Sequence, residues 1–215
     1  AEIGRGRIHC EASADDPVAE LVPDSEGPMI VLLSDNTIPA GRVLEQWLGH
    51  SLAFIGEMAA AGFLPDFGVV AHAPYDYFAD FMRGSKQAML DLRRRPEKLL
   101  AAMERMLAIH ERTILEAAGH TPCRTVFIPL HWGLDGFMSA AQFQKFFWPP
   151  LRELIVRLIG HGLTPLVLWE GGCTARLELI GDIPRGKAIY AFERTDLELA
   201  SRVLGGGQVK PVGEE

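Results

Sequence analysis

Thr164-Pro165-Leu166-Val167-Leu168-Trp169-Glu170-Gly171-Gly172-Cys173 is the stretch that decides the fold. Its apolar run ends in a carboxylate, two glycines and a thiol, and a helical pattern follows. Thr125-Val126-Phe127-Ile128-Pro129 behaves the same way, leading into Leu130-His131-Trp132-Gly133-Leu134-Asp135. A short apolar run closed by polar residues and followed by a helix is one half of a βαβ unit. In a parallel α/β protein the C-terminal ends of the strands form a common face, and ligands bind there. His131, Asp135, Glu170 and Cys173 are all delivered to that face. An imidazole, two carboxylates and a thiol can bind a metal or move protons, so the leading reading is an enzyme.

Working outward, Phe67 to Ala71 is a further strand ending at His72, and Lys187 to Phe192 is another. Helical spacing runs from Gly41 to Ala61, from Pro74 to Gly84 and from Ser85 to Leu92. Pro96 stands at a first-turn position of a long helix reaching Ala118, with Leu99, Leu100, Met103, Met106, Leu107 and Ile114 on its apolar face. Ser139-Ala140-Ala141-Gln142 and Thr195-Asp196-Leu197-Glu198 read as capping boxes. Pro149-Pro150 is expected to kink or break the helix that the first of them opens. A short helix is expected from Leu177 to Ile180, and Gly205-Gly206-Gly207 ends the last one. Residues 1–28 are polar and acidic, and Met29 to Leu33 is strand-like. From residue 67 on, strand and helix alternate at the spacing of a parallel sheet with right-handed crossovers. The 215 residues read as a single domain.

Composition narrows the function. A net charge of -7 argues against a nucleic-acid surface, which needs a basic patch. Arg93-Arg94-Arg95 reads as a solvated helix end, not an anion clamp. Three cysteines without a CxxC pair suggest a reducing, cytoplasmic setting. No apolar run is long enough to span a membrane. The chain opens without Met, as a piece of a longer or processed chain would.

Among the candidates, Glu170 stands first, followed by glycines that allow close backbone approach. Its alternative is a carboxylate favoured by a helix N-terminus. Cys173 is either a zinc thiolate or a small buried residue. His131 is a metal ligand, a general acid–base or a structural histidine. Asp135 either orients His131 or makes a turn with Gly136. His72 and Trp169, at strand ends, are the candidate cofactor-binding residues. Asp76 and Arg83 read as a structural ion pair, and Glu193 is the remaining strand-end carboxylate of interest.

Several segments together resemble the uroporphyrinogen decarboxylase superfamily. These are Gly62-Phe63-Leu64-Pro65, Ala73-Pro74-Tyr75-Asp76, Met82-Arg83-Gly84, Met89-Leu90-Asp91 and Arg95-Pro96-Glu97-Lys98-Leu99. Asp135-Gly136-Phe137-Met138-Ser139, Gln142-Phe143, Phe147-Trp148-Pro149 and Glu170-Gly171 continue the series, as do Arg176-Leu177-Glu178, Pro184-Arg185-Gly186-Lys187 and Thr195-Asp196. The resemblance covers residues 60–207, whereas residues 1–58 match loosely.

The resemblance implies a (β/α)8 TIM-type barrel, here incomplete, because a full barrel typically needs about 250 residues. It implies either of two chemistries. One is zinc-dependent methyl transfer between a corrinoid protein and a small thiol or methyl-ether substrate, with Glu170, His131 and Cys173 as metal ligands. The other is cofactor-free decarboxylation of uroporphyrinogen or a related acid. The chain lacks the Arg-rich N-terminal motif of the true decarboxylases and the His-x-Cys zinc motif of the thiol methyltransferases. A non-catalytic barrel remnant is the third reading. Exposed barrel edges would favour a homodimer.

Overall fold

The computed structural model describes residues 3–4, 7–8, 37–63, 65–205 and 210–211. The chain divides into two units, Ala1–Leu64 and Pro65–Glu215. In the first, β1 (Ile3–Gly4) and β2 (Arg7–Ile8) form an antiparallel pair, and α1 spans Thr37–Ala60. The expected strand at Met29 to Leu33 lies outside the described residues.

The second unit is an α/β fold. Its sheet contains β3 (Val69–Val70), β4 (Thr125–Leu130), β5 (Thr164–Gly172), β6 (Ile189–Arg194) and β7 (Lys210–Pro211), all parallel and in chain order. Between β3 and β4 lie α2 (Pro74–Tyr77), a π-helical turn (Phe78–Met82), α3 (Ser85–Arg94) and α4 (Pro96–Ala118). Between β4 and β5 lie α5 (Ala140–Gln142), a second π-helical turn (Phe143–Phe147) and α6 (Trp148–Gly160). A 3-10 turn at Thr174–Arg176 follows β5, and α7 (Leu197–Leu204) follows β6. Among the described residues β3 and β7 are the outermost strands of this sheet, paired with β4 and β6.

Burial explains the elements. Val126, Ile128 and Leu130 of β4 are buried, as are Pro165, Val167 and Trp169 of β5, at the period of two expected for a strand face. Against that face pack Leu151, Leu154, Ile155 and Leu158 of α6, all fully buried, each contributing about 1.5–3 kcal/mol of hydrophobic stabilisation. Leu99, Met103, Leu107, Ile114 and Ala118 make the buried stripe of α4 at helical spacing.

Three local expectations change. Pro149 and Pro150 do not break the helix: they occupy the first turn of α6, where no backbone N–H is needed, and the strain is taken up by the π-helical turn just before them. The short helix expected at Leu177 to Ile180 is instead a 3-10 turn ending at Arg176, with Leu177 and Ile180 buried in the turns after it. The last helix is capped by Asp196, not Thr195: the Asp196 carboxylate accepts from Leu199 N at 2.8 Å. The Ser139–Gln142 capping box forms in full, and Gly205 ends α7 in the left-handed region at φ 56°.

Candidate active site

Strand register places the first pair of site residues. Leu130 of β4 is paired with Trp169 of β5, so the next residues on the two strands, His131 and Glu170, emerge side by side at the C-terminal edge. Beyond Trp169 the β5–β6 pairing shifts register before resuming at Gly172, and Gly171 there adopts φ 123°, a conformation side chains rarely take. Irregularities of this kind often re-aim side chains beside active sites. Glu170 is exposed where the residue before it is buried.

Two carboxylates from the preceding crossover hold His131. Asp76 and Asp80 stand four residues apart across the junction of α2 and the first π-helical turn, close to one face of the helix. Asp76 accepts the backbone N–H of His131 at 2.8 Å and that of Trp132 at 3.3 Å. Asp80 bonds both side chains, with Oδ2 2.7 Å from His131 Nδ1 and Oδ1 accepting from Trp132 Nε1 at 2.7 Å. Together they fix the position and the ring orientation of His131. Its free nitrogen, Nε2, lies 3.7 Å from Glu170 Oε2. That is too long for a direct hydrogen bond, yet an oxygen or nitrogen atom set to one side can lie about 2.8 Å from both.

The electrostatics follow. Asp76 is fully buried, and burial pushes its carboxyl up to about 7, against the lowering effect of the His131 and Trp132 backbone bonds and of the His131 charge, with Asp80 adding to the rise. For His131, burial lowers the pKa, but the Asp80 hydrogen bond and the charges of Asp76, Asp80 and Glu170 outweigh it, and the net direction is up. His131 is therefore held more strongly as an imidazolium than a free histidine is.

His72 lies at the end of β3, its ring 5.0 Å from that of Phe81. Burial and the nearby His131 lower its pKa, with Asp80 opposing them, so it takes up a proton less readily than a free histidine. His110, on α4, packs edge-on to Tyr77 at 4.7 Å, and burial lowers its pKa to about 4. Trp132 meets the exposed Phe137 edge-on at 5.2 Å, next to His131 at the C-terminal edge of the sheet.

The other expected residues sit elsewhere. Asp135 does not orient His131: it faces Arg176 Nε at 3.3 Å and accepts the Ala175 N–H at 3.0 Å, tying the loop after β4 to the turn after β5. Arg176 is buried over the Phe143 ring and donates to the Met138 carbonyl. Cys173 is fully buried, and burial pushes its thiol well above the usual range, with Asp135 adding to the rise and Arg176 opposing it. Trp169 does not line the mouth: it is buried among Phe143, Tyr190 and Phe192. Arg83 pairs with Asp91 at 2.8 Å instead of with Asp76. Glu193 lies 3.7 Å from Arg194.

Among the described residues no three His, Cys, Asp or Glu side chains are gathered as a metal ion requires. Of the three expected zinc ligands, Cys173 is packed in the core, whereas His131 Nε2 and Glu170 face one another with the Asp80 carboxylate behind the ring. Asp80 is the residue that sequence reading missed, and Asp76 was assigned to an ion pair with Arg83 instead of to His131. Their signal was the four-residue spacing in the helix that Pro74 opens. No described helix is long and apolar enough to cross a membrane. A comparison with protein-family models finds no match, and neither does one with curated proteins.

Proposed function

We propose that this chain is an enzyme in which His131 gives and takes a proton through Nε2, with Glu170 facing the same reacting atom. The observation that carries this is the Asp80–His131–Glu170 alignment at the C-terminal edge of a parallel sheet. Asp80 holds Nδ1 and supports the positive charge, as a carboxylate behind a catalytic imidazole does. Glu170 remains available to accept a proton or to hold a polar substrate group.

The resemblance to the uroporphyrinogen decarboxylase superfamily supports a place within a (β/α)8 barrel, and both chemistries it implies need a proton at the atom that loses its substituent. Decarboxylation needs one on the carbon left by CO2, and demethylation of an ether needs one on the departing oxygen. Asp80 and Glu170 put negative charge around His131, and Arg176 is already engaged by Asp135. A substrate with several carboxylates is poorly served by that field. The site is better matched to a small neutral or cationic methyl donor, with a corrinoid partner protein supplying the methyl-accepting centre.

Histidine NMR on the whole chain tests the proton-transfer reading. The expected result is a His131 pKa above 6.5 that falls in Asp80→Asn and Glu170→Gln, with turnover of a methyl-ether substrate lost in His131→Asn. Elemental analysis is the companion measurement: stoichiometric zinc that disappears in Glu170→Ala would replace the proton by a metal and overturn this mechanism.

A further inference from the structure

A cavity of about 200 Å³ opens beside α3, α4 and the first π-helical turn. Its polar wall is Arg83, Asp91, Arg95 and Lys98, and Phe78 and Leu99 are part of its apolar wall. Asp91 is the only carboxylate of that lining and is already engaged by Arg83 at 2.8 Å. Arg95, expected from the sequence to be only part of a solvated helix end, lines the cavity; it and Lys98 are in no ion pair among the described residues, so the cavity carries an excess of positive charge.

The start of α4 adds to it. Arg95 occupies the N-cap position without a side-chain cap, and Pro96 has no N–H. Leu99 N bonds to the Arg95 carbonyl, which leaves the N–H groups of Glu97 and Lys98 as first-turn donors at the positive end of a 23-residue helix, and of these two residues Lys98 belongs to the cavity lining. The Glu97 side chain, the one acid in that turn, lies 3.5 Å from Lys145.

We infer that this cavity binds a small phosphate monoester. A guanidinium fork, an ammonium group and free backbone N–H groups are the donors that a dianionic phosphate takes. The apolar wall gives the ester's organic part a surface that inorganic phosphate would leave uncovered. At about 200 Å³ the space is below the roughly 300–1,000 Å³ of drug-sized ligand sites, so the organic part is small.

Titration of the whole chain with phenyl phosphate, at constant ionic strength, tests the assignment by calorimetry and by the amide shifts of Glu97 and Lys98. Saturable binding is expected, tighter than that of inorganic phosphate. Arg95→Gln/Lys98→Gln should weaken it by about tenfold, the loss expected with charge-assisted hydrogen bonds. Arg93→Gln/Arg94→Gln, which leaves the cavity lining intact, should change it less than about twofold, as screened surface charges do. Should the first double variant fold poorly, Lys98→Gln alone, at an exposed side chain, is expected to weaken binding measurably. Absence of saturable binding, equal weakening by both double variants, or an affinity for inorganic phosphate as high as for the ester would overturn the proposal.

Discussion

Asp76→Asn keeps the size of the side chain and removes its charge, and its effect should depend on pH in a specific way. Burial pushes the Asp76 carboxyl from an ordinary 3.8 to about 7, despite two backbone N–H groups at 2.8 and 3.3 Å. Between those values the unfolded chain has released the proton while the folded chain still holds it, so stability falls as pH rises through this window. At about 1.4 kcal/mol per pH unit the fall approaches about 4 kcal/mol once the folded carboxyl is ionised, which is a ceiling on the effect. A protonated Asp and an Asn present similar acceptors to the same two N–H groups, so at about pH 4.5 the variant should match wild type within about 1 kcal/mol. Near pH 8 it should be the more stable protein, by up to about 4 kcal/mol. His131 also has a raised pKa, so it too loses stabilisation as pH rises above about 6.5. Asp76 is among the causes of that rise, so the variant weakens this second trend as well. Urea denaturation of both proteins at several pH values, with m compared, measures the difference. Parallel stability curves, or a variant less stable than wild type by more than about 1 kcal/mol near pH 8, would refute the reasoning. Either would mean that the carboxylate is ionised at its ordinary pKa and that its hydrogen bonds outweigh the cost of burying it.

Gly133→Ala should cost about 1–3 kcal/mol, because the added Cβ would lie 2.3–2.6 Å from ring atoms of the buried Phe147. An unchanged melting temperature would contradict that packing. At the start of α7, Asp196→Ala should cost about 1 kcal/mol through the lost cap. Thr195→Val should be neutral or stabilising, because the buried Thr195 hydroxyl has no hydrogen-bond partner among the described residues; chemical denaturation ranks the two, and the reverse order would restore Thr195 as the cap. Cys173 should resist iodoacetamide in the folded protein and react once urea unfolds it, as mass spectrometry of its peptide would record, since the thiol is buried and its pKa is raised.

The backbone frame was legible because its signals are local. Thr125 to Pro129 is a short apolar run, Leu99, Met103 and Leu107 recur at helical spacing, and Ser139 with Gln142 spells a cap; the structure contains a strand, a buried helix stripe and a capping box there. The choice between Thr195 and Asp196 as cap was not legible, since both residue types can cap and only the backbone conformation separates them. The prolines at 149 and 150 misled for a related reason: their constraint falls on the residues before them, and a π-helical turn absorbs it. For the site, the strand-end rule found His131 and Glu170, and register makes them neighbours. Asp135 and Cys173 obey the same rule but turn inward, toward Arg176 and the core, because position along the strand does not determine which way a loop side chain faces. Asp80 escaped, and Asp76 was given the wrong partner, because their partners are 51 and 55 residues away, and no local pattern shows such a contact.

That long-range contact carries the functional argument. A buried carboxylate is expensive unless it is paired or hydrogen-bonded, and Asp76 remains costly above its raised pKa even with two backbone donors. For stability alone, an amide would serve better at neutral pH. What the charge does supply is a second carboxylate next to His131, beside the one on Asp80, at the nitrogen-rich junction where β4 ends. Removing it should lower the His131 pKa and weaken its hold on the proton near neutral pH, while the chain becomes harder to unfold. Opposite movements of stability and proton affinity from a single substitution are what a site selected for chemistry predicts. A merely structural Asp76 would lose both together.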